Sequence, residues 1–252
     1  MRAPSPTPTP LTGLTGRIVY TTGTLHIYNL ATGADVSLGV SGINPKFSPN
    51  GALITYTGGT KGSAGLRVMN SDGTNNRLLN ATGNVPSFDP TSTKIVYADS
   101  GIWTINVSGG PPTEITSAGG GGIHPAWSPD GTQIAYHAPV GSVAHLFTIP
   151  ATGGTSTDVC TSTGSIIDLV WLAPNSKPLF AINGLYTCDP TSGTLTQLTS
   201  GGFEPSWSPD ASHISWTNGT NGKTGGIWIM NANGSGQQGP IIPGGRQGSW
   251  GP

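Results

Sequence analysis

The chain carries little charge. Of its 252 residues only 10 are lysine or arginine and 11 are aspartate or glutamate, which leaves a net charge of −1. Binding to nucleic acid or to anionic membranes usually needs a basic patch with a long-range field. We therefore expect neither of these as a partner, and a surface covered mainly by uncharged polar side chains.

Long apolar runs and the familiar catalytic signatures are missing as well. No stretch reaches the roughly 18 apolar residues that a membrane-spanning helix needs. There is no Gly-x-Ser-x-Gly elbow, no His-Glu-x-x-His pair and no Walker loop. Gly234–Gly239 matches a dinucleotide fingerprint, but Pro240 and Pro243 follow and no helix can begin there. The sequence thus indicates no cofactor, and it favours a binding role over an enzymatic one.

Glycine and proline are abundant, with 40 and 22 residues. They lie at turns between short apolar segments, which is typical of β-sheet rather than of disorder. Five segments follow one template: x-Pro-x-aromatic-Ser-Pro-Asp-Gly, then a short apolar strand. They are NPKFSPNGALITY (44–56), VPSFDPTSTKIVY (85–97), HPAWSPDGTQIAY (124–136), DLVWLAPNSKPLF (168–180) and EPSWSPDASHISW (204–216).

The aromatic residues of this template recur at intervals of about 40 residues, the period of a propeller blade. They are Phe47, Phe88, Trp127, Trp171 and Trp207, and Trp250 continues the series. A second pattern, an apolar strand running into Asn, Asp or Gly, occurs six times, so each period predicts four strands. The missing first half of the sixth period is supplied by Arg246–Trp250, and Gly16–Thr22 continues it. The sequence therefore predicts an all-β, six-bladed propeller whose last blade joins both ends of the chain.

The repeat resembles that of a known family. The segment Pro125–Tyr136, Pro-Ala-Trp-Ser-Pro-Asp-Gly-Thr-Gln-Ile-Ala-Tyr, is similar to the repeat of TolB-type six-bladed propellers, relatives of the Trp-Asp repeat proteins. The resemblance covers residues 14 to 252. It implies the propeller fold, while family members include periplasmic scaffolds that bind proteins, gating domains of peptidases and some sugar-acid lyases.

Residues 1–13 form a Pro/Thr-rich tail that we expect to lie outside the propeller domain of residues 14–252. Such a tail is typical of a linker between a membrane anchor and an outer domain. We therefore expect an extracytoplasmic location, periplasmic, secreted or at the cell surface; the alternative is a cytoplasmic protein with a frayed terminus.

The two cysteines, Cys160 and Cys188, fall in neighbouring blades. A disulfide needs Cα atoms within about 7 Å, which adjacency alone does not provide. We expect two buried thiols, with a disulfide as the alternative.

One set of residues emerges when the blades are aligned. Three residues before each core aromatic, at the entry to the innermost strand, stand Asn44, Val85, His124, Asp168, Glu204 and Gln247. The innermost strands of a propeller surround its central channel, so these positions predict a ring at one mouth, with Arg246 beside it. A polar ligand could bind to this ring. His124, Asp168 and Glu204 are also weak candidates for a metal site, and the opposing hypothesis is that the ring is polar because it is wet.

The tryptophans allow a sugar-stacking hypothesis, but most of them occupy the core position of the repeat, which favours packing. Taken together, the sequence favours a non-catalytic binding module or scaffold that presents a propeller face to a protein, a peptide or a polar ligand. Two alternatives stay open. One is a metal-assisted lyase or hydrolase acting on a sugar-acid-like substrate at the channel mouth, and the other is a structural subunit of the cell surface.

Overall fold

The computed structural model describes residues 13–58, 65–116, 123–141, 143–162, 164, 166–171, 176–219 and 225–252. Within these residues the strands form six four-stranded antiparallel sheets, and each sheet is one blade. The innermost strands of successive blades contact one another around a closed ring. The predicted six-bladed propeller is thus confirmed. The predicted tail lies outside the described residues except for Gly13.

The blades are numbered along the chain. Blades 1 to 5 contain β4–β7, β8–β11, β12–β15, β16–β19 and β20–β23, and the composite blade contains β24 and β1–β3. The innermost strands are β4 (Ile43–Phe47), β8 (Asn84–Phe88), β12 (Ile123–Trp127), β16 (Ile167–Val170), β20 (Phe203–Trp207) and β24 (Arg246–Gly251). The second strands are β5 (Leu53–Gly58), β9 (Lys94–Ala98), β13 (Gln133–Val140), β17 (Leu179–Ala181), β21 (His213–Asn218) and β1 (Arg17–Thr21).

The outer half of each blade follows the predicted hairpins. The third strands are β6 (Gly65–Asn70), β10 (Ile102–Asn106), β14 (Val143–Pro150), β18 (Leu185–Cys188), β22 (Gly226–Asn231) and β2 (Thr24–Asn29). The outermost strands are β7 (Arg77–Asn80), β11 (Thr113–Glu114), β15 (Thr157–Ser162), β19 (Leu195–Gln197), β23 (Gln238–Pro243) and β3 (Asp35–Ser41). Gly234–Gly239 lies at the turn into β23, as predicted. None of the described residues forms a helix that is long and apolar enough to cross a bilayer.

The Ser-Pro-Asp-Gly turn reverses the chain between the innermost and second strands. In blade 3 the Ser128 hydroxyl donates to Asp130 Oδ1 at 2.6 Å and accepts from the Gln133 amide at 3.0 Å. Gly131 adopts a φ of 72°, a left-handed conformation that glycine enters without steric cost. The turns lie at one end of the innermost strands, which we call the turn face. The opposite end, where those strands begin, is the ring face.

The apolar core lies between the blades. Six buried clusters each combine residues of two neighbouring blades. Five of them contain a core aromatic of the repeat, and the partly buried Trp207 packs against the sixth. Trp127, for example, packs with Val96 and Ile102 of blade 2 and with Ile134 and Tyr136 of its own blade. Core packing, rather than sugar stacking, therefore accounts for the aromatic position of the repeat.

The two ends of the chain meet in the composite blade. β24 pairs with β1, with Ile18 opposite Trp250, and the Trp250 indole donates to the carbonyl of Thr15 at 3.0 Å. Arg17 extends the closure to blade 1, since its guanidinium donates to the carbonyls of Pro252 and Gly51, each at 2.9 Å. This pairing removes the exposed edge that β1 would otherwise present.

The expectation of two free thiols was wrong. A disulfide joins Cys160 on β15 to Cys188 on β18, with Cα atoms 6.4 Å apart. Both cysteines are buried in the cluster between blades 3 and 4, together with Leu146 and Phe180. The outermost strand of blade 3 therefore lies close enough to the third strand of blade 4 for a disulfide. The spacing of the cysteines along the sequence does not reveal how neighbouring blades are positioned side by side.

Closure of the ring can be tested by truncation. Deleting residues 246–252 removes the innermost strand of the composite blade and leaves β1 unpaired. Loss of a buried tryptophan alone costs about 3–5 kcal/mol, out of a typical total of roughly 5–15 kcal/mol. We expect the truncated protein to melt at least about 10 °C below the intact one in a circular dichroism scan. A shift of only a few degrees in the truncated protein would contradict this closure.

Candidate functional site at the central channel

The six aligned ring positions share an unusual backbone conformation. Each has a positive φ, between 48° at Val85 and 55° at Glu204 and Gln247. In every blade the pairing of the innermost strand shifts register around this position. A side chain in the left-handed region costs roughly 1–2 kcal/mol, and such strain persists only where surrounding contacts hold it. The alignment thus identified six structurally equivalent residues at the ring face.

Several ring side chains reach forward to the next blade. A carboxylate oxygen of Asp168 accepts from the Glu204 amide at 3.2 Å, and Glu204 Oε2 accepts from the Gln247 amide at 2.7 Å. The Gln247 side chain in turn makes two hydrogen bonds to Asn44. Its Oε1 accepts from the Asn44 backbone amide at 3.0 Å, and its Nε2 donates to Asn44 Oδ1 at 2.7 Å. This succession, which we call the clasp, runs from blade 4 through blade 5 and the composite blade to blade 1.

The clasp explains why the ring is polar. At Glu204, Gln247 and Asn44 the backbone amide of the ring residue donates to the ring side chain of the preceding blade. An amide left without a partner at such a position would cost about 1–3 kcal/mol. Val85 has no group that can accept such a bond, so the blade 2 position cannot extend the clasp.

His124 belongs to a different contact. Its Nδ1 lies 2.8 Å from Nε2 of His137 on β13, and the two rings stack with centroids 5.0 Å apart. Burial lowers the pKa of His124, against the opposing influence of Asp168, and Lys46 lowers it further. Burial, and secondarily His124, lowers the pKa of His137 to about 3. The pair is therefore neutral at physiological pH.

Two further charges act within the channel. Burial raises the pKa of Glu204, although its bonds from Thr217 and Gln247 oppose this shift. Burial lowers the pKa of Lys46, which Asp168 and Glu204 raise from across the channel. Lys46 precedes the core aromatic of blade 1 and was not among the residues singled out from the sequence, although its position on an innermost strand was a usable signal.

The structure does not gather the three candidate metal ligands. His124 contacts His137, whereas Asp168 and Glu204 are engaged in the clasp. In the part of the chain that the structure describes, no three His, Cys, Asp or Glu side chains form a group suited to hold a metal ion. Arg246 is exposed, and no ion pair joins it to a described carboxylate.

A second feature of the ring face escaped the sequence reasoning. One residue before the ring position, three innermost strands carry an exposed isoleucine, namely Ile43, Ile123 and Ile167, with exposed fractions of 46%, 42% and 41%. The equivalent residue of blade 5 is the partly buried Phe203. We call the three isoleucines the crown. The usable signal was an apolar residue at the same offset in several repeats, without a core partner to explain it.

The chain was compared with known proteins. Residues 42–252 match the family described as the TolB beta propeller domain. A TolB homologue from Chlorobium luteolum is 28% identical over 102 residues, which cover 37% of this chain and 23% of that protein.

Two solved structures show the same fold. TolB from Acinetobacter baumannii superposes with a TM-score of 0.77 at 18% identity, covering 93% of this chain and 66% of that one. A putative TolB from Agrobacterium tumefaciens gives 0.74 at 14% identity, covering 91% and 90%. The chain thus spans less than two thirds of the length of the Chlorobium homologue and of the Acinetobacter TolB.

The histidine pair predicts how stability depends on pH. The unfolded chain takes up a proton at His137 near pH 6.5, whereas the folded protein resists this until about pH 3. The stability contributed by the neutral pair is therefore fully present above pH 6.5 and is lost as the pH falls, by up to about 1.4 kcal/mol per pH unit. Urea unfolding between pH 7 and 4 should show a shallower acid limb for His137→Gln than for the native chain. Parallel profiles would refute the assignment.

Proposed function

We propose that this chain, which belongs to the family of TolB β-propeller domains, is a non-catalytic module that binds a protein partner over its ring face. The crown carries the proposal. Its three isoleucines stand at equivalent positions of three blades and are exposed there. Exposed apolar groups gathered on one face of a soluble domain are typical of a protein interface.

The chemistry of the ring face supports a docking surface more than a reaction site. The clasp engages the polar groups of Asp168, Glu204 and Gln247 in bonds between blades. The exposed Arg246 stands at the position in the composite blade that corresponds to the crown, and it would add a polar contact at the rim of the interface. A lyase or hydrolase would need catalytic groups that converge on a substrate. No arrangement of this kind among the described residues supports that alternative.

An extracytoplasmic location forms part of the proposal. The disulfide between Cys160 and Cys188 supports it, because such bonds persist mainly in oxidising compartments. The low charge and the neutral polar surface fit a protein whose partner is recognised by shape and apolar contact rather than by a long-range field. The likeness to TolB proteins supports the same location.

The proposal is tested by site-specific photo-crosslinking in the source cell. A photoreactive phenylalanine analogue at position 123 or 167 should form a discrete crosslinked species with another protein. The same analogue at Val36 or Leu78 is the matched control, since these residues are as exposed, at 58% and 49%, but lie on the outer strands β3 and β7.

A charge substitution completes the experiment. The double variant Ile123→Asp, Ile167→Asp, with the photoreactive analogue at position 43, should bind the partner at least tenfold more weakly, seen as a loss of the crosslinked species. The reason is that burial of one such side chain contributes about 1.5–3 kcal/mol. The double variant Val36→Asp with Leu78→Asp should leave capture unchanged. Equal crosslinking from both sets of positions, or none from the crown, would contradict the proposal.

A further inference from the structure

The channel has a second opening at the turn face, away from the clasp and the crown. A cavity of about 300 Å³ lies there, at the lower end of the size range of small-molecule sites. Its walls are five of the six core aromatics, Phe47, Phe88, Trp171, Trp207 and Trp250. Prolines that stand two residues after five of the core aromatics also line it. The turn-face cavity is therefore mostly apolar and rigidly framed.

The polar side chains of this cavity belong to residues next to the core aromatics in the chain. Lys46 has the one charged side chain among the lining residues, and hydroxyls come from Ser48, Ser87, Ser206, Ser208 and Ser249. Ser206 accepts from the Trp250 amide at 3.0 Å and Ser249 accepts from the Phe47 amide at 3.2 Å. The Ser206 hydroxyl also donates to the Trp207 carbonyl at 3.4 Å, whereas no such donation by Ser249 occurs among the described residues. Ser249 therefore retains a proton to donate to a ligand. The cavity thus presents hydrogen-bond donors, and neither aspartate nor glutamate is among the residues that line it.

Lys46 lacks a bonded counter-ion within the described residues. None of the described carboxylates forms an ion pair with it, and no hydrogen bond joins its ammonium to another described residue. Asp168 and Glu204 influence it across the channel, but the clasp holds both toward the ring face and neither lines the cavity. The Trp207 indole N–H is also buried without a partner in the described part of the chain. An ammonium in an apolar enclosure is most stable when a ligand brings an anion to it.

We propose that the turn-face cavity binds a small free monocarboxylate with an apolar, aromatic-sized body. The carboxylate pairs with Lys46, and the apolar body packs against the tryptophans of blades 4 and 5 and of the composite blade. Charge complementarity selects this ligand over a neutral or cationic one, because Lys46 carries the only charged side chain among the residues that line the cavity. The site lies at the opposite mouth from the crown, so it is independent of the proposed protein-binding face.

Calorimetric titration tests the proposal with three related probes: naphthalene-1-acetate, the alcohol 2-(1-naphthyl)ethanol and the amine 2-(1-naphthyl)ethylamine. The native protein should bind the acid at least tenfold more tightly than the alcohol, and the amine least. Lys46→Met should bring the affinity for the acid down to that for the alcohol. Lys94→Met, which removes an exposed lysine from β9, is the matched control and should behave as the native protein.

A second variant keeps the test decisive if Lys46→Met fails to fold. Ser87→Leu fills part of the cavity and leaves Lys46 in place, so it should lower the affinities for the acid and for the alcohol by the same factor. Equal affinities of the native protein for acid and alcohol, an undiminished acid affinity in Lys46→Met, or no saturable binding of the acid at millimolar concentration would each overturn the proposal.

Discussion

Every blade of this propeller depends on its neighbours to bury its faces. Each of the six apolar clusters is shared by two blades, so a single sheet would expose two apolar surfaces to water. Closure is therefore the constraint on which the rest of the structure depends. The pairing of β24 with β1 meets this constraint by bringing together residues more than two hundred positions apart in the chain.

The same constraint separates the structural polar groups from the exposed ones. Asp168, Glu204 and Gln247 sit where a ligand site would be sought, yet their side chains bond to the following blade. Because these polar groups are engaged between blades, the crown is the feature of the ring face that we propose for recognition. At the other mouth, Lys46 lines a cavity and forms no ion pair with a described carboxylate. The two ends of one channel thus offer different chemistry, apolar contact at one and an enclosed cation at the other.

Much of the fold could be predicted from the sequence because the repeat is regular. The template at His124–Tyr136 recurs in register, so strand order, blade number and the joining of the two ends all followed from it. The disulfide did not follow, since the approach of Cys160 to Cys188 depends on how neighbouring blades lie side by side.

The site was harder to predict for a related reason. Alignment placed the six ring residues correctly at one mouth of the channel, but spacing along the chain carries no information about the direction of a side chain. It could not show that Glu204 reaches the Gln247 amide, or that His124 meets His137. The crown was missed because a single isoleucine in a strand is normally expected to be a core residue, and the sequence does not show that it is exposed.

The central claim is that the polar ring holds the blades together and is not itself the binding group. Gln247 tests it most cleanly, because its side chain is uncharged and makes both of its bonds to Asn44. The free energy of unfolding of Gln247→Ala, measured in urea, should fall by about 1–3 kcal/mol relative to the native chain. Gln133→Ala, an exposed glutamine on β13, should change it by less than about 0.5 kcal/mol. A Gln247→Ala protein as stable as the native one would contradict the claim and return the ring to consideration as a ligand site.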